Sequence, residues 1–477
     1  MRRPHLPARS PRAGLAAALA VAIGLAIVRT TAAAAGPAAV PLTLETAMAT
    51  ARAHAHEAAA ANARASAAAA RWREARGHRL PTVALEETYL RTDSPAEAFA
   101  LALNQERFDF GAFAAADPNR PDPATTAITR LALTMPLYTG GELTARIEQS
   151  RLAMAAAASD AARAADRAAL AAGEAFVGLA EAREQAALLE RARETAQAHA
   201  ALARAYVAQG MLVRSELLRA EVEEARVADL LAAAQGMARV AAAELAFRLG
   251  AGGELGGRGD SARRDVAPLA PAGDPGPLAR WQEHAAARGD LEAARRLLAA
   301  GELEVTARRA ARRPRIGLLA RRDWVDDHPF GDHGDATTIA AVASIELFAG
   351  GRRRAAVAAA AAELAAAAQD VEGFARGVAL EVESAWEQAR SAAERQATAE
   401  RALAAAREGA RITGERFRAG VAKTLDWIDA APAEREAAAR ELAARAAAQR
   451  ARLRLAVAAG RPPEAALATT TSAGDPP

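Results

Sequence analysis

The stretch Leu137-Tyr138-Thr139-Gly140-Gly141 decides the fold, because a second version of it, Leu347-Phe348-Ala349-Gly350-Gly351, occurs further along the chain. The two Gly-Gly pairs are 210 residues apart (350 − 140 = 210), and so are Gly210 and Gly420. An offset that is kept over such a long segment indicates an internal duplication. The chain is therefore predicted to contain two copies of one structural unit.

The copies differ in length at one place only. Leu245–Gly250 and Leu455–Gly460, near the end of each copy, keep the offset of 210. Pro81 and Pro314 are instead 233 residues apart (314 − 81 = 233). The first copy thus has 23 extra residues (233 − 210 = 23) between its proline and its Gly-Gly pair. These residues are predicted to form a loop, where length is free to vary.

The composition favours long packed helices over compact globular domains. Apolar residues make up 52% of the 477 residues but aromatic residues only 4%, and alanine, the best helix former, supplies most of the apolar share. The chain has no cysteine, which excludes disulfides, thiolate metal sites and a cysteine nucleophile. The formal charge of +3 becomes −2 without the five arginines of residues 1–35 (3 − 5 = −2), so no nucleic-acid partner is predicted.

Residues 1–35 are predicted to be a secretory signal peptide. Four arginines precede an apolar run over Ala13–Val28, and the small residues Ala32–Ala35 suit cleavage near Gly36. The alternative is a single membrane anchor, but about 16 apolar residues fall short of the roughly 20 that a spanning helix needs. No later segment is predicted to cross a membrane as a helix.

Two pairs of segments alternate with period two, which is typical of strands with one apolar and one polar face. They are Thr82–Leu90 with Ala127–Tyr138, and Arg315–Val325 with Thr337–Phe348. In the second strands of the two pairs, apolar residues recur at positions that are 210 apart. The apolar faces of these two strands therefore occupy equivalent positions in the two copies. Each pair is predicted to form a β-hairpin, over 82–138 in the first copy and 315–348 in the second.

Long helices follow the hairpins, because the segments from Gly141 to Gly210 and from Gly351 to Gly420 contain no proline. At 1.5 Å per residue, about 69 helical residues reach roughly 100 Å. Pro432 is expected to kink the second return helix near its start. The predicted elements and segments are listed here: signal peptide 1–35, first repeat 36–250, linker 251–277, second repeat 278–460, disordered tail 461–477, long helices 141–209 and 351–419, and return helices 211–249 and 421–459.

Four strands with an apolar face cannot stand alone in lipid, where every backbone polar group must be paired and a sheet must close on itself. The smallest familiar barrels have eight strands, so closure requires several chains. Three chains would supply twelve strands and a ring of long helices. The fold class is therefore predicted to be mainly α with membrane β: a long α-helical barrel joined to a transmembrane β-barrel, with four strands per chain.

The chain resembles the TolC family of outer-membrane channel proteins over roughly residues 42–460. The resemblance rests on Met135–Gly141, on the glycine tips and on the loop Phe99–Phe108, which is followed by Asp117-Pro118-Asn119. It implies a homotrimer in the cell outer membrane, in contact with outer-membrane lipid, whose helical part crosses the periplasm. It also implies a periplasmic adaptor and an inner-membrane pump as partners, in efflux or type I secretion. The alternative is a periplasmic adaptor-like or structural coiled-helix protein, against which the two hairpins argue.

The resemblance also implies a gate at the periplasmic helix tips. Asp426 and Asp429 match the positions of an acidic ring, and residues three apart share a helix face. The alternative is that both are solvated carboxylates near a helix N-terminus, where acids are favoured. In the first copy Glu216 matches an acid that latches the closed tip. The family's arginine partner is replaced by Ala422, and a tyrosine by Phe417; Lys423 or Arg214 could substitute as the partner.

No catalytic residue, cofactor or metal site is predicted. The chain has no nucleophile–base pair, phosphate loop or zinc spacing. His328 and His333 lie among four acids in the shorter loop, and a solvated loop is the preferred interpretation over a transient cation site. The cargo of the channel cannot be read from these residues.

Overall fold

The computed structural model describes residues 41–115, 117–250, 266–419, 421 and 424–467. For the helical residues 417, 418 and 424–429 it describes the backbone but not the side chains. The predicted signal peptide, residues 251–265 of the predicted linker, Gly420, Ala422, Lys423 and residues 468–477 of the predicted tail lie outside the described residues.

Both copies contain the same order of helix, hairpin, long helix and return helix. The elements of the first copy are α1 (Leu44–His54), α2 (His56–Gly77), β1 (Thr82–Thr92), α3 (Pro95–Asn104), α4 (Phe110–Ala115), β2 (Ala124–Tyr138), α5 (Glu142–Ala208) and α6 (Arg214–Arg248). Those of the second copy are α7 (Leu278–Ala286), α8 (Gly289–Ala310), β3 (Arg315–Asp326), β4 (Gly334–Ser344), α9 (Arg352–Arg418), α10 (Thr424–Ala458) and a 3₁₀ turn (Pro463–Ala466). The loop of the first hairpin contains the two short helices α3 and α4.

The first helix of each copy is broken at an equivalent residue. Ala55 and Arg288, which are 233 residues apart (288 − 55 = 233), have extended backbone with ψ of 139° and 134°. A Cβ at Gly250 would lie 2.4 Å from the carbonyl oxygen of His54, and one at Gly460 would lie 2.5 Å from Cγ of Arg288. The glycine that follows each return helix therefore packs against one of these breaks, and a larger residue would not fit there.

The four strands of the described chain form one antiparallel sheet in the order β1-β2-β3-β4. The two hairpins are joined edge to edge by the pairing of β2 with β3. This ladder is irregular between Pro136 and Tyr138, where proline has no backbone N–H to donate. β1 and β4 each have one edge that no described strand pairs with.

The main core lies where the first helices of both copies meet α5, α9 and α10. Its largest fully buried side chains include Phe176, Met48 and Leu453, and the rest is mostly alanine. Gly173 allows this close packing, since a Cβ there would lie 3.0 Å from Sδ of Met48. Alanine and glycine bring the helices together but leave only a thin apolar core.

Buried arginines complete this core at the end of α10. Arg288 donates to the carbonyl oxygen of Ala458 at 2.7 Å and pairs with Asp290 at 2.8 Å and Glu381 at 2.7 Å. Arg163 donates to the carbonyl oxygen of Val457 at 2.6 Å. Arg288 thus pairs the Ala458 carbonyl oxygen in the last turn of α10. Arg163 is a second donor to the Val457 carbonyl oxygen, which also accepts from Gly460 N–H. Burial and the nearby Arg288 cation lower the pKa of Arg163.

The prediction of a disordered tail from residue 461 is wrong for its first residues. Pro463 and Ala466 are buried, and Glu464 accepts a hydrogen bond from Arg52 at 2.8 Å. The predicted linker is likewise packed from residue 266 onward. Leu269 is buried, and its carbonyl oxygen accepts a hydrogen bond from Arg445 at 3.1 Å.

Among the described helices, α6 is long and apolar enough to cross a membrane by length and composition. This differs from the prediction that no later segment would pass such a test. α6 nevertheless lies along α5 and buries Val227, Leu231 and Leu245. Length and composition alone are weak evidence for a membrane span.

Candidate functional site

One face of the sheet is exposed and mostly apolar, and Glu87, Arg322 and Asp335 lie on it only towards the loop end. Leu85 in β1 is 65% exposed and Ile339 in β4 is 73% exposed, although both are large apolar residues. Exposed side chains of the same face, in the strands or in residues 345–347 after β4, are Val83, Tyr89, Leu131, Leu137, Ile316, Ile345 and Leu347. An apolar patch of this extent marks a surface that is covered by lipid or by another protein.

The opposite face of the sheet carries charged side chains. Arg130 in β2 donates to Asp323 in β3 at 2.7 Å, and Arg321 lies 3.5 Å from the same carboxylate. Glu86 in β1 is the strand partner of Arg130. A sheet that is apolar on one face and charged on the other suits the wall of a barrel between lipid and water.

Aromatic side chains lie near both ends of the apolar face. Trp324 is paired with Thr129 near the loop end, and Tyr138 ends β2 at the Gly-Gly end. Thr129 and Tyr138 are nine residues apart (138 − 129 = 9). At about 3.3 Å per residue and a strand tilt of roughly 40°, this separation corresponds to roughly 23 Å of height, close to the apolar band of outer-membrane barrels.

The helix tips of both copies share one backbone hydrogen bond. Met211 N–H donates to the carbonyl oxygen of Tyr206 at 2.9 Å, and Val421 N–H donates to that of Arg416 at 2.9 Å. Both residues of the second bond are displaced by 210 from those of the first. Gly210 has φ of +71°, the left-handed conformation that closes such a helix end. This hydrogen bond is thus common to both tips, although their sequences differ.

The backbone of α10 places Asp426 and Asp429 in its first two turns, three residues apart. Their side chains, and that of Phe417 in the last turn of α9, lie outside the described atoms, as Lys423 and Gly420 lie outside the described residues. The acidic ring, and the side-chain contacts that would hold the gate closed, therefore stay predictions.

Glu216 lies in the first turn of α6, close to the tip. One of its carboxylate oxygens is 3.5 Å from Arg219, and the other is buried without a hydrogen-bond partner among the described residues. In this part of the chain the ion pair of Glu216 is with Arg219 rather than with Arg214. An unpartnered carboxylate oxygen at the tip is consistent with a partner outside the described residues.

The structure adds a contact that the sequence did not indicate. Arg435 in α10 is 2.8 Å from Glu223 in α6, with side-chain exposures of 14% and 21%. This ion pair joins the return helices of the two copies near their tips. The repeat gives no signal for it, because the equivalents of Glu223 and Arg435 are Ala433 (223 + 210) and Ala225 (435 − 210).

A cavity of about 270 Å³ lies beside this ion pair, between α5, α6, α9 and α10. Burial lowers the pKa of His199, which lines the cavity on α5. Pro432, which has no backbone N–H, lines the opposite side on α10. The two helix pairs are therefore incompletely packed near the tip.

The shorter hairpin loop holds the acids and histidines considered in the sequence analysis. Oxygen and nitrogen atoms of Asp326, Asp327 and His328 lie within 4.8 Å of one another. Arg107, from the other hairpin, contacts Asp326 at 2.9 Å and Asp327 at 2.7 Å. Both carboxylates are thus ion-paired, and the contact ties the two loops together.

Residues 281–461 match the family model described as outer membrane efflux protein. The chain is similar in fold to CusC, with a TM-score of 0.72, 17% identity and coverage of 88% of this chain and 93% of that one. It is also similar to a membrane protein from Pseudomonas aeruginosa (TM-score 0.73, 20% identity, 87% and 93% coverage). For the outer membrane protein VceC from Vibrio cholerae the values are 0.70, 20%, 88% and 96%. No curated protein matches the sequence.

These findings define the class of protein. The fold is shared with outer-membrane channel proteins, and residues 281–461, in the second copy, match the outer membrane efflux protein model. The predicted resemblance and the predicted fold class are confirmed. The solved structures that share this fold are outer-membrane channel proteins.

Proposed function

We propose that this chain is one subunit of a trimeric outer-membrane exit channel for efflux. The observation that carries the proposal is a four-stranded sheet with an exposed, mostly apolar face, a charged opposite face and two edges with which no described strand pairs. Such a sheet satisfies its backbone in lipid only after closure with further copies. Three copies give twelve strands, enough for a barrel with an open, water-filled interior.

The helices supply the part of the channel outside the membrane. α5 and α9 have 67 residues each, which corresponds to roughly 100 Å at 1.5 Å per residue. Helices of equal length can lie side by side and form the wall of one tunnel that crosses the periplasm. Substrates would enter from an inner-membrane pump through a periplasmic adaptor, in a tripartite efflux system or in type I secretion. The match to an efflux family favours the first.

We assign the exit gate to the helix tips. Asp426 and Asp429 would form two stacked carboxylate rings in the trimer, and rings of this kind attract cations and repel anions. Glu216, Phe417 and Lys423 would line the same constriction. The turns at Gly210 and Gly420 would form the closed end, and Gly140, Gly141, Gly350 and Gly351 would mark the junctions between barrel and tunnel.

The division of the chain follows from this assignment. Residues 1–35 would be removed after export, and residues 36–250 and 278–460 would form the two halves of each subunit. The alternative, a periplasmic adaptor-like or structural rod, gives no role to the exposed apolar sheet face. It would also leave the match to an efflux family unexplained.

Membrane fractionation tests the proposal. The protein should be found in the outer membrane as an oligomer that resists SDS at room temperature and dissociates on heating. The purified oligomer should also conduct ions in planar bilayers. A water-soluble periplasmic monomer would contradict the proposed function.

A further inference from the structure

The loop of the first hairpin is rich in phenylalanine. Residues 95–115 contain four of the ten phenylalanines of the chain, namely Phe99, Phe108, Phe110 and Phe113. The rings of Phe99, Phe108 and Phe113 pack together, with centroids 5.2–5.5 Å apart. Phe110 is 74% exposed. Apolar rings in this number mark a surface that another element covers.

α3, in this loop, lies on the charged face of the sheet. Ala98 and Leu101 in α3, and Gln105 just after it, are buried at intervals of three and four residues, which defines one covered side of the helix. Gln105 Nε2 donates to Oγ1 of Thr126 in β2 at 2.8 Å. Thr126 precedes Arg130 by four residues in the same strand, so both side chains lie on the charged face.

The contact of α3 with β4 agrees with this position. A Cβ at Gly334 would clash with the carbonyl oxygen of Asn104, the last residue of α3. Gly334 is paired with Val325, which lies two residues after Asp323 and therefore also on the charged face. The ten residues of α3 span about 15 Å, close to the width of four strands that are about 4.8 Å apart. α3 thus crosses the loop end of the whole sheet, from β1 to β4.

The side of α3 that faces away from the sheet is apolar and exposed. Phe99 and Leu103, which are four residues apart, are 40% and 46% exposed. Phe110 in α4 adds a third exposed apolar side chain to this surface. In the proposed barrel the charged face lines the interior. These side chains would therefore face the axis of the barrel.

The size of a twelve-stranded barrel decides what they meet. Strands that are about 4.8 Å apart and tilted by roughly 40° give a barrel about 75 Å around and about 24 Å across. A helix with its side chains is about 10–12 Å thick. A helix against the inner wall therefore reaches close to the axis, and three such helices occupy most of the cross-section.

We propose that α3 and α4 of the three copies close the outer mouth of the channel with an apolar constriction, formed by Phe99, Leu103 and Phe110. The inference rests on the proposed channel function and adds a second gate to it, at the end opposite the helix tips. Apolar constrictions gate by excluding water. Ions and small polar solutes would therefore pass only when the three helices move apart.

An ion-paired turn holds the end of α3 in this position. Glu106 has a left-handed φ of +56°, and Arg107 N–H donates to the carbonyl oxygen of Ala102 at 3.1 Å, which ends the helix. The turn places Arg107 against the loop of the second hairpin, 2.9 Å from Asp326 and 2.7 Å from Asp327. Loss of these contacts would loosen α3 and leave the strands paired.

Cross-linking of single cysteines tests whether the three helices meet, since the chain has no cysteine of its own. The variants are Leu103→Cys and Phe99→Cys, on the side of α3 that would face the axis. The matched control is Glu86→Cys, because Glu86 is the strand partner of Arg130 and lies on the same charged face, but at the wall. Equivalent wall positions of neighbouring copies are roughly 20 Å apart in such a barrel. A disulfide needs less than about 7 Å between Cα atoms.

After oxidation in outer membranes, the two α3 variants should give covalent dimers without trimers on denaturing gels that lack reductant, because one bridge at the axis uses two of three cysteines. The control should stay monomeric, and all three variants should still form the heat-dissociable oligomer. Absence of linkage from both α3 variants in an intact oligomer would overturn the outer gate but not the channel. A parent chain that forms no oligomer in the outer membrane would overturn both.

Polymer exclusion in planar bilayers tests the role of Arg107. The long helices stay on the side from which the protein is added, so all channels have one orientation. Arg107→Ala should let larger polyethylene glycols enter and lower the conductance from the loop side, without a change from the tip side. Arg322→Ala is the matched control, since its ion pair with Asp335, at 2.7 Å, lies on the opposite face of the sheet. Equal exclusion by the parent channel and Arg107→Ala from the loop side would overturn the role of this residue in closure.

Discussion

At the scale of single residues, Gly140 is required for two reasons. Its φ of +68° lies in the left-handed region, and a Cβ would lie 2.7 Å from the Ala310 carbonyl oxygen. Gly140→Ala should therefore cost about 1–2 kcal/mol for the backbone and a further 1–3 kcal/mol or so for the clash. Gly210→Ala is the matched control, because its φ is +71° but its Cβ would meet no described atom within 4 Å.

The temperature at which the oligomer dissociates measures this difference. Gly140→Ala should lower it clearly more than Gly210→Ala does. Equal effects would mean that the contact with Ala310 does not constrain the junction between sheet and helix.

His199 makes the packing near the tip sensitive to pH. Burial lowers its pKa from the usual 6.5, so the packed arrangement holds fewer protons than an opened one. Its contribution to stability is present above pH 6.5 and is lost as the pH falls through the lowered pKa. Charged neighbours around the same cavity are Arg191, Glu223, Arg407, Glu434 and Arg435. His199→Gln should reduce the loss of thermal stability on acidification below pH 6.5.

Oligomer dissociation temperatures at neutral and mildly acidic pH check this expectation. His284→Gln is a suitable control, since that histidine lies on α7, on a different helix from those that line the cavity. If His199→Gln and the parent chain respond to acid identically, the cavity histidine does not control the packing.

At the scale of elements, the Glu223–Arg435 ion pair is the described contact that holds the two return helices together near the tip. Removing one partner leaves a largely buried charge, which typically costs about 1–3 kcal/mol. Glu223→Gln should therefore loosen the closed tip. Raised single-channel conductance, and greater sensitivity of cells to a bulky antibiotic that the outer membrane excludes, would report this.

Two further variants make the test specific to the pair. The charge reversal Glu223→Arg with Arg435→Glu should restore the closed behaviour. Glu408→Gln should have little effect, because its pair with Arg411 is exposed and lies within one helix. Failure of the reversal to restore closure would argue against a direct tie between the helices.

Helices and strands could be predicted where the sequence pattern that indicates them lies within the element itself. Period-two alternation and proline-free stretches indicate the strands and long helices, and a repeat offset indicates their order. The breaks at Ala55 and Arg288 could not be predicted, because they depend on Gly250 and Gly460, which are remote in sequence. The end of β4 at Ser344 was also missed, since a strand needs a neighbour as well as a pattern.

The candidate site was predictable to a different extent. Repeat spacing predicts the turn at Gly210, which the structure describes. The roles of Gly420, Asp426 and Asp429 come from spacing and resemblance and stay predictions. The Glu223–Arg435 pair does not, because neither residue has a charged counterpart in the other copy. A comparison of the two copies can predict only contacts that both copies share, so it cannot predict this ion pair.

At the scale of the whole molecule, the two kinds of joint differ in chemistry. The internal strand joint contains the Arg130–Asp323 pair, with 2.7 Å between its atoms. The two outer edges of the sheet, which would close on further copies in the proposed barrel, have Ala340 (130 + 210) and Leu90 (323 − 233) in these places. Since apolar contacts are less screened by salt than ion pairs, association of the copies should tolerate high ionic strength.

The proposed acidic rings belong to this scale, because they would form only in the assembled channel. Asp426 and Asp429 would together contribute two carboxylates from each copy at the narrowest point, where the field of fixed charges acts on every passing ion. Asp426→Ala with Asp429→Ala should reduce the cation preference of single channels and leave trimer formation unchanged. Reversal potentials across a salt gradient in planar bilayers measure that preference.

Position rather than total charge should govern this selectivity. Glu363→Ala removes an exposed carboxylate from α9, 63 residues before the tip residue Asp426 (426 − 363 = 63). Where the tunnel is wide, a fixed charge is separated from passing ions by more than a Debye length of about 8–10 Å and is largely screened. The Glu363 variant should therefore retain the reversal potential of the parent channel. If it shifts the potential as much as the aspartate variant does, the selectivity arises along the tunnel and the constriction lies elsewhere than at these tips.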